Sequence, residues 1–357
     1  MIPSDKITVS IDSGGTFTDC VVRKNGAFHR HFKVPSTPED PARAIISAIT
    51  QFNDQVVDTC RHGTTVGTNG LLERSGGRVA FITNQGLEDC LKLKRQARPH
   101  LYDLEPDIGE GLVSDQDVLS IPWRRRVDGN GIGTAPDWHE FVTQHRQTFL
   151  ACDAVAICLL HACSFPEDEQ ALQSAIQAVH TNMPVSISSD ISALEREYER
   201  ACSTVINAYL QPLVSTYVGK VNSSLKSQSK LQVMTSAGGL VPYDHIQKAP
   251  IQTVLSGPAG GFLGAAAAGQ RLGYDSILSL DMGGTSTDVA LISSDFDLKT
   301  NHEIMHMPVV TPMLPIETVG AGGGSIAFVD SGGILKVGPE SVGASPGPAC
   351  YGMQSEL

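Results

Sequence analysis

The stretches DSGGTFTD, residues 12–19, and DMGGTSTD, residues 281–288, share one frame, D-x-G-G-T-x-T-D. Each follows an apolar run, ITVSI (7–11) and SILSL (276–280). One copy is within the reach of chance in a Gly- and Thr-rich chain; two copies need a common cause. Ile7, Val9 and Ile11 alternate with Thr8 and Ser10, the period of a half-buried strand. Asp12, the Gly14-Gly15 pair and a second apolar run through Cys20, Val21 and Val22 follow. The pattern predicts a strand–turn–strand hairpin, repeated around Gly283-Gly284 with VALI (289–292) as its return strand.

Paired glycines let a backbone approach a bulky anion closely, with its N–H groups turned inward as a nest. Thr16 and Thr18 in one copy, Thr285 and Thr287 in the other, add hydroxyl donors. Asp12 would repel a phosphate unless a cation lay between them, and Mg²⁺ fills that place through its waters and one or two carboxylates. Two such turns, face to face, would clamp a triphosphate from both sides. The alternative reading is a pair of ordinary hairpins with glycine turns and capping threonines. No G-x-x-x-x-G-K-[ST] is present, so a P-loop is not supported.

Composition narrows the classes. Among 357 residues, 41% are hydrophobic and 18% charged, which fits a globular protein rather than a disordered one. The net charge of −12 and the lack of a basic stripe argue against nucleic acid. WRRRVDG (123–129) is the densest basic run and reads as a solvated loop. No signal peptide opens the chain and no run is long enough to cross a bilayer. The eight cysteines, without C-x-x-C pairs, read as reduced thiols of a cytoplasmic protein.

Between the octets, strands are expected at 78–83 and 154–160 and a helix at 166–180. A long helical pattern at 192–218 is expected to break near Pro212. SGPAGGFLGAAAAG (256–269) reads as a loop entering a small-residue helix. HGTT (62–65) offers an anion site or simply a helix cap, with His62 bonded to a loop. Arg95 reads as a surface residue, while Arg98 is a candidate anion contact. VGAGGGS (319–325) precedes a strand rather than a helix, so dinucleotide binding is rejected in favour of a backbone loop near the site. HEIMH (302–306) runs into Pro308 and Pro312; its zinc-helix match is read as chance, with His302, Ile304 and His306 on one side of a strand.

The octets, with HGTTVGTNGLLER, RPHLYDL, EREYERACSTVINAYLQPL, SAGGL, SGPAGG, ETVGAGGGSI and VGPESVGASPGPACYG in that order, resemble the hydantoinase A / 5-oxoprolinase family. That family lies within the actin–sugar kinase–Hsp70 superfamily, whose phosphate-1 and phosphate-2 loops the octets resemble. The resemblance implies an α/β fold, an actin-like ATPase with ribonuclease-H-like halves. Residues 1–190 would form an N-terminal-type domain with the first phosphate loop. Residues 191–357 would form a hydantoinase A-type domain with a hinge helix and the second loop, its second half incomplete.

The resemblance further implies ATP- and Mg²⁺-dependent hydrolysis of a cyclic amide (hydantoin, 5-oxoproline or a lactam) by phosphoryl activation of the carbonyl oxygen. An ATP-binding subunit of an acetone or acetophenone carboxylase-like complex, with a ketone substrate, stays open. So does a non-catalytic nucleotide-gated module. Asp12 and Asp281 would hold Mg²⁺, and Asp19 or Asp288 would orient a water or support the hydroxyls. Gly14, Gly15, Thr16, Thr18, Gly283, Gly284, Thr285 and Thr287 would bind phosphates, with Gly322 and Gly323 close by. His62, Thr64, Thr65 and Arg98 would lie on the substrate side. A hydantoinase B-like partner or a missing C-terminal half is expected, a homo-oligomer stays open, and neither nucleic acid nor membrane is expected as a partner.

Overall fold

A computed structural model describes residues 5–14, 17–37, 39–52, 56–96, 102, 111–284, 286–293, 296–342 and 347–348. The chain opens with β1 (Ile7–Ser13), β2 (Phe17–Lys24) and β3 (Ala27–Pro35), each antiparallel to the next. Alternation sets β1, with Ile7, Val9 and Ile11 buried on one face. Asn25 and Gly26, both at positive φ, turn β2 into β3. Helix α1 (Pro41–Thr50) starts on a proline, whose missing N–H is harmless at a first helical position. β4 (Val57–Gly63) then returns parallel to β1, and α2 (Val66–Leu72) leaves its end.

The next stretch builds a second, parallel sheet. β5 (Val79–Asn84) and β9 (Ala154–Cys158) are buried throughout, as strands covered on both faces are. Between them lie α3 (Cys90–Leu93), β6 (Val118–Ile121), the short pair β7 (Arg124–Arg125) and β8 (Gly131–Ile132), α4 (Trp138–Gln144) and α5 (Arg146–Ala151). α6 (Glu167–Val179), β10 (Val185–Ile187) and α7 (Ser188–Ile191) follow. The order is β10-β9-β5-β6. Arg125 of the basic run binds Asp168 at 2.6 Å, so that run is tied to α6 rather than free in solvent.

Helix α8 (Glu197–Ser224) runs unbroken through Pro212, where a break was expected. An interior proline costs about 3 kcal/mol. Here Val205, Ile206, Leu210, Val214 and Val218 are all buried in the main core on either side of it, which offsets that cost. β11 (Lys230–Met234) and β12 (Leu240–Pro242) complete the first sheet, in the order β12-β11-β4-β1-β2-β3. A boundary at residue 190 therefore falls inside α7 and does not divide the sheets: the first sheet draws on strands from β1 through β12.

After α9 (Tyr243–Lys248), α10 (Gly257–Leu272) ends on Gly273 at a left-handed φ of 78°. β13 (Ser276–Met282), β14 (Thr287–Ser293) and β17 (Glu317–Val319) form a small sheet that packs on α10 through Phe262, Ala290 and Ile292. β15 (Lys299–Ile304) and β16 (Met307–Met313) form a hairpin turned by Met305 and His306 at positive φ. His306 thus sits in the turn and does not share a strand face with His302 and Ile304. β18 (Ser325–Val329) and β19 (Leu335–Ser341) pair as a last hairpin. Among the described residues no helix is long and apolar enough to cross a membrane, and the seven described cysteines are free thiols.

Candidate functional site

The two octets fold alike. In each hairpin the bounding acids are cross-strand partners, Asp12 with Asp19 and Asp281 with Asp288. The turns close the same way: Gly14 N–H donates to Phe17 O at 3.1 Å, and Gly283 N–H to Ser286 O at 2.9 Å. Gly15, Thr16 and Thr285, expected to bind phosphate, lie outside the described residues, as does Arg98.

Each turn is braced from behind. Ser36 Oγ donates to Gly14 O at 2.7 Å and lies 3.0 Å from Thr18 Oγ1. At the second turn, Gly323 N–H and Gly324 N–H donate to Gly283 O and Gly284 O at 2.9 and 2.7 Å. Thr287 Oγ1 donates to Ala321 O at 2.5 Å. A Cβ on Gly322 would lie 2.7 Å from Gly283 O, so only glycine lets the 319–324 loop rest on the turn. Thr18 and Thr287 are buried, and their hydroxyls hold the hairpins. That corrects the expectation of phosphate contacts from these two side chains. Gly322 and Gly323, expected to bind the cofactor, pack on the second turn on its supporting side.

Helix α10 brings the turns together. At its start Gly257 packs on Thr65, whose Cγ2 would be 3.3 Å from an added Cβ. Ser256 Oγ donates to Thr64 O at 3.0 Å, and Leu255 N–H to Thr68 Oγ1 at 2.8 Å. One turn further, Gly261 lies against Asp281, with Oδ2 3.6 Å from an added Cβ. Opposite, Gly63 at the end of β4 pairs with Asp12 and would carry a Cβ 2.8 Å from its Oδ1. Gly63 and Gly261 therefore leave room for the carboxylates of Asp12 and Asp281, which lie near enough for each charge to act on the other. Since Ser256 gives its hydroxyl to Thr64, it does not cap α10. Pro258 brings no N–H to the first turn of α10, and Ala259 N–H donates to Ser256 O at 3.2 Å.

Asp12 is exposed near the end of β1, between buried Ile11 and Ser13, yet enough protein surrounds its carboxylate to cost it hydration. That desolvation, with the negative charges of Asp19 and Asp281 added, raises its pKa to about 6. Among the described residues no group of three His, Cys, Asp or Glu could hold a metal by itself. Two facing carboxylates fit Mg²⁺, which keeps most of its waters and takes one or two protein oxygens.

The other acids have partners of their own. Asp19 takes His31 Nε2 at 2.9 Å and Lys33 Nζ at 3.1 Å. Burial works to raise its pKa, but these hydrogen bonds prevail and hold it below the usual range. Asp288 accepts from Thr318 Oγ1 at 2.6 Å.

His62 and Thr64, expected on the substrate side, are buried. His62 Nδ1 lies 3.2 Å from Ile11 O, an acceptor only, so Nδ1 carries the proton and Nε2 accepts from the Tyr217 hydroxyl at 2.6 Å. Burial drives its pKa down to about 4. With both nitrogens engaged, His62 ties β4 to β1 and α8 directly behind Asp12 and does not reach a ligand. Thr65 does face open space, a groove of about 800 Å³ on the flank of the first turn that Ser13, Gly14, Asn69 and Tyr217 also line. Arg95 binds Glu199 through Nε at 3.0 Å, the surface pairing expected of it.

Known proteins match the chain along most of its length. The Hydantoinase/oxoprolinase N-terminal region profile matches residues 8–180, and the Hydantoinase/oxoprolinase profile matches residues 200–356. The chain belongs to the hydantoinase/oxoprolinase family. It is 32% identical to caprolactamase subunit alpha of Pseudomonas jessenii, over 96% of this chain and 52% of that protein. The crystal structure of ATP-dependent caprolactamase from Pseudomonas jessenii superimposes with a TM-score of 0.82 at 31% identity, over 97% of this chain and 52% of that one. Nucleotide-free acetone carboxylase, described for ATP-dependent acetone carboxylation, gives 0.77 at 25% identity, over 95% and 51%. The chain spans about half the length of these relatives. As expected, the fold is α/β and shared with ATP-dependent enzymes of this family.

Sequence reasoning passed over Gly63, Gly257, Gly261, Ser36 and Ser256 as site-builders. Gly63 sat in view inside HGTT, at the end of a strand and before a helix, where a missing side chain signals close approach.

Proposed function

We propose that this hydantoinase/oxoprolinase chain is the nucleotide-binding part of an ATP-dependent hydrolase acting on a cyclic amide such as a lactam. The observation that supports the proposal is that two matching hairpins bring Asp12 and Asp281 within reach of each other's charge, each beside a glycine. In this reading Gly14, Gly15 and Thr16 grip the polyphosphate from one side, and Gly283, Gly284 and Thr285 from the other. Asp12 and Asp281 hold hydrated Mg²⁺, which would neutralise charge on the phosphates when bound. The amide carbonyl oxygen, presented from the Thr65 groove, takes the γ-phosphoryl group as its bond to the β-phosphate oxygen breaks and ADP leaves; water then adds to the activated carbon, the ring C–N bond opens and phosphate departs. The chain's own work is positioning and charge balance. A partner or further segment supplies the hydrolytic step, and a cytoplasmic location suits the free thiols.

Similarity to acetone carboxylase favours a second reading, in which the same site serves a carboxylase subunit and the phosphoryl acceptor is a ketone. Calorimetric titration with MgATP tests the shared claim. The wild type should bind, and Asp12→Ala and Asp281→Ala should each weaken binding. Equal binding by all three proteins would remove both carboxylates from the site. ATP hydrolysis stimulated by caprolactam, with a ring-opened product, separates the hydrolase from the carboxylase. Hydrolysis that answers only to a protein partner indicates a nucleotide-gated module.

A further inference from the structure

The groove beside Thr65 carries an uneven set of side chains. Its lining draws on the first turn, the start of α1, α2 and one face of α8 between Pro212 and Lys220. Four of the lining residues are acids, Glu39, Asp40, Glu73 and Asp153, and among the described residues Lys220 is the single base. Lys220 Nζ lies 3.6 Å from Asp40 Oδ1, so that base is already matched to one acid. Asp153 Oδ2 accepts the Arg78 backbone N–H at 2.8 Å. Among the described residues Glu39, Glu73 and Asp153 form no ion pair. These three come from separate elements, ahead of α1, just past α2 and ahead of β9, so no single helix surface accounts for them. The rest of the wall includes the apolar side chains of Val66, Pro212 and Leu213. A cavity walled by protein and lined by one sign of charge concentrates its field on whatever enters.

We propose that this groove selects its substrate by charge. It takes a cyclic amide that bears an ammonium group, holds a neutral lactam less tightly and turns away a ring that carries a carboxylate. The assignment rests on the groove being the substrate side of the proposed hydrolase. A ring carboxylate would enter among three unmatched acids, with Lys220 already held by Asp40. An ammonium group gains from the same three acids. The amide itself is neutral and answers to neither, and ring methylenes lie against Val66 and Leu213. 5-Oxoproline is therefore the cyclic amide that the groove excludes, and an amino-lactam is the one that it favours. Glu39 and Glu73 set this preference from opposite element ends, one before a helix and one after.

The test titrates the nucleotide-free chain, by ligand-observed NMR, with three five-membered lactams that differ in charge alone: 3-aminopyrrolidin-2-one, pyrrolidin-2-one and 5-oxoproline. Affinity should fall about tenfold at each step in that order at low salt. The steps should collapse in about 1 M salt, where the screening length is only about 3 Å. The double variant Glu39→Lys, Glu73→Lys should reverse the order, and both positions are exposed, so its melting temperature should match wild type. Glu195→Lys, exposed and outside the groove lining, should leave the order as it is. Four results would overturn the proposal: no binding of any probe, equal affinity for all three, tighter binding of 5-oxoproline, or an order indifferent to both lysines. Calorimetry with MgATP on the same samples separates this from the wider reading. If MgATP fails to bind while the order holds, the hydrolase reading falls and the charge filter stands; if MgATP binds and the order is missing, the filter alone falls.

Discussion

Replacing Gly63 by alanine tests the site at its tightest point. The new Cβ would stand 2.8 Å from Asp12 Oδ1. Carbon and oxygen in ordinary contact need about half an ångström more, so the carboxylate must swing aside. The neighbouring backbone need not move, because the obstacle is a side chain and Gly63 is not at positive φ. An off-rotamer carboxylate costs about 0.5–1.5 kcal/mol, small enough for the fold to survive. The effect on a cation is larger, because displaced positioning groups typically lower metal affinity about 10- to 100-fold. Gly261→Ala is the matched control: its Cβ would be 3.6 Å from Asp281 Oδ2, an ordinary contact. Calorimetric titration with MgATP should show Gly63→Ala weakened by that factor and Gly261→Ala unchanged, with both proteins melting as wild type does. If Gly63→Ala bound MgATP normally while folded, Asp12 would have no part in holding the cation.

Other outcomes follow from neighbouring residues. Gly322→Ala meets backbone atoms of Gly283 and Gly284 that cannot step aside, so nucleotide affinity should fall more steeply than with Gly63→Ala, read by the same titration. An unfolded imidazole takes its proton near pH 6.5, but buried His62 only near 4. Acid between those values favours the unfolded chain, so stability is complete above about pH 6.5 and declines below it, by about 3 kcal/mol at most. Denaturant midpoints against pH should show that decline, and His62→Gln should flatten it. Buried Arg200 donates to Ser188 Oγ, Leu194 O and Leu159 O at 2.9, 2.8 and 2.6 Å, and Ser188 in turn donates to buried Glu169. Arg200→Met strands those acceptors beside a buried carboxylate and should cost about 3–5 kcal/mol, seen as a lower urea midpoint.

The hairpins, the strands at 79–84 and 154–158 and the small-residue helix were legible because each announces itself within a dozen residues of sequence. Direction was harder to read. Thr18 and Thr287 look like phosphate donors until Ser36 and Ala321, far along the chain, claim them. His62 looks like a ligand contact until Ile11 and Tyr217 occupy both of its nitrogens. Pro212 looks like a break until the core packs on both sides of it. In each case a partner remote in sequence outweighs a local preference.

Helix α10 is fastened at both ends. Ser256 ties its start to Thr64, and at its far end Gly269 receives Ile277 so closely that a Cβ there would overlap the side chain. Sixteen residues at 1.5 Å each make a rod of about 24 Å, too stiff to let the hairpins slide past one another. A spectroscopic ruler across Asp12 and Asp281 would therefore report any swivel of the second hairpin about this axle.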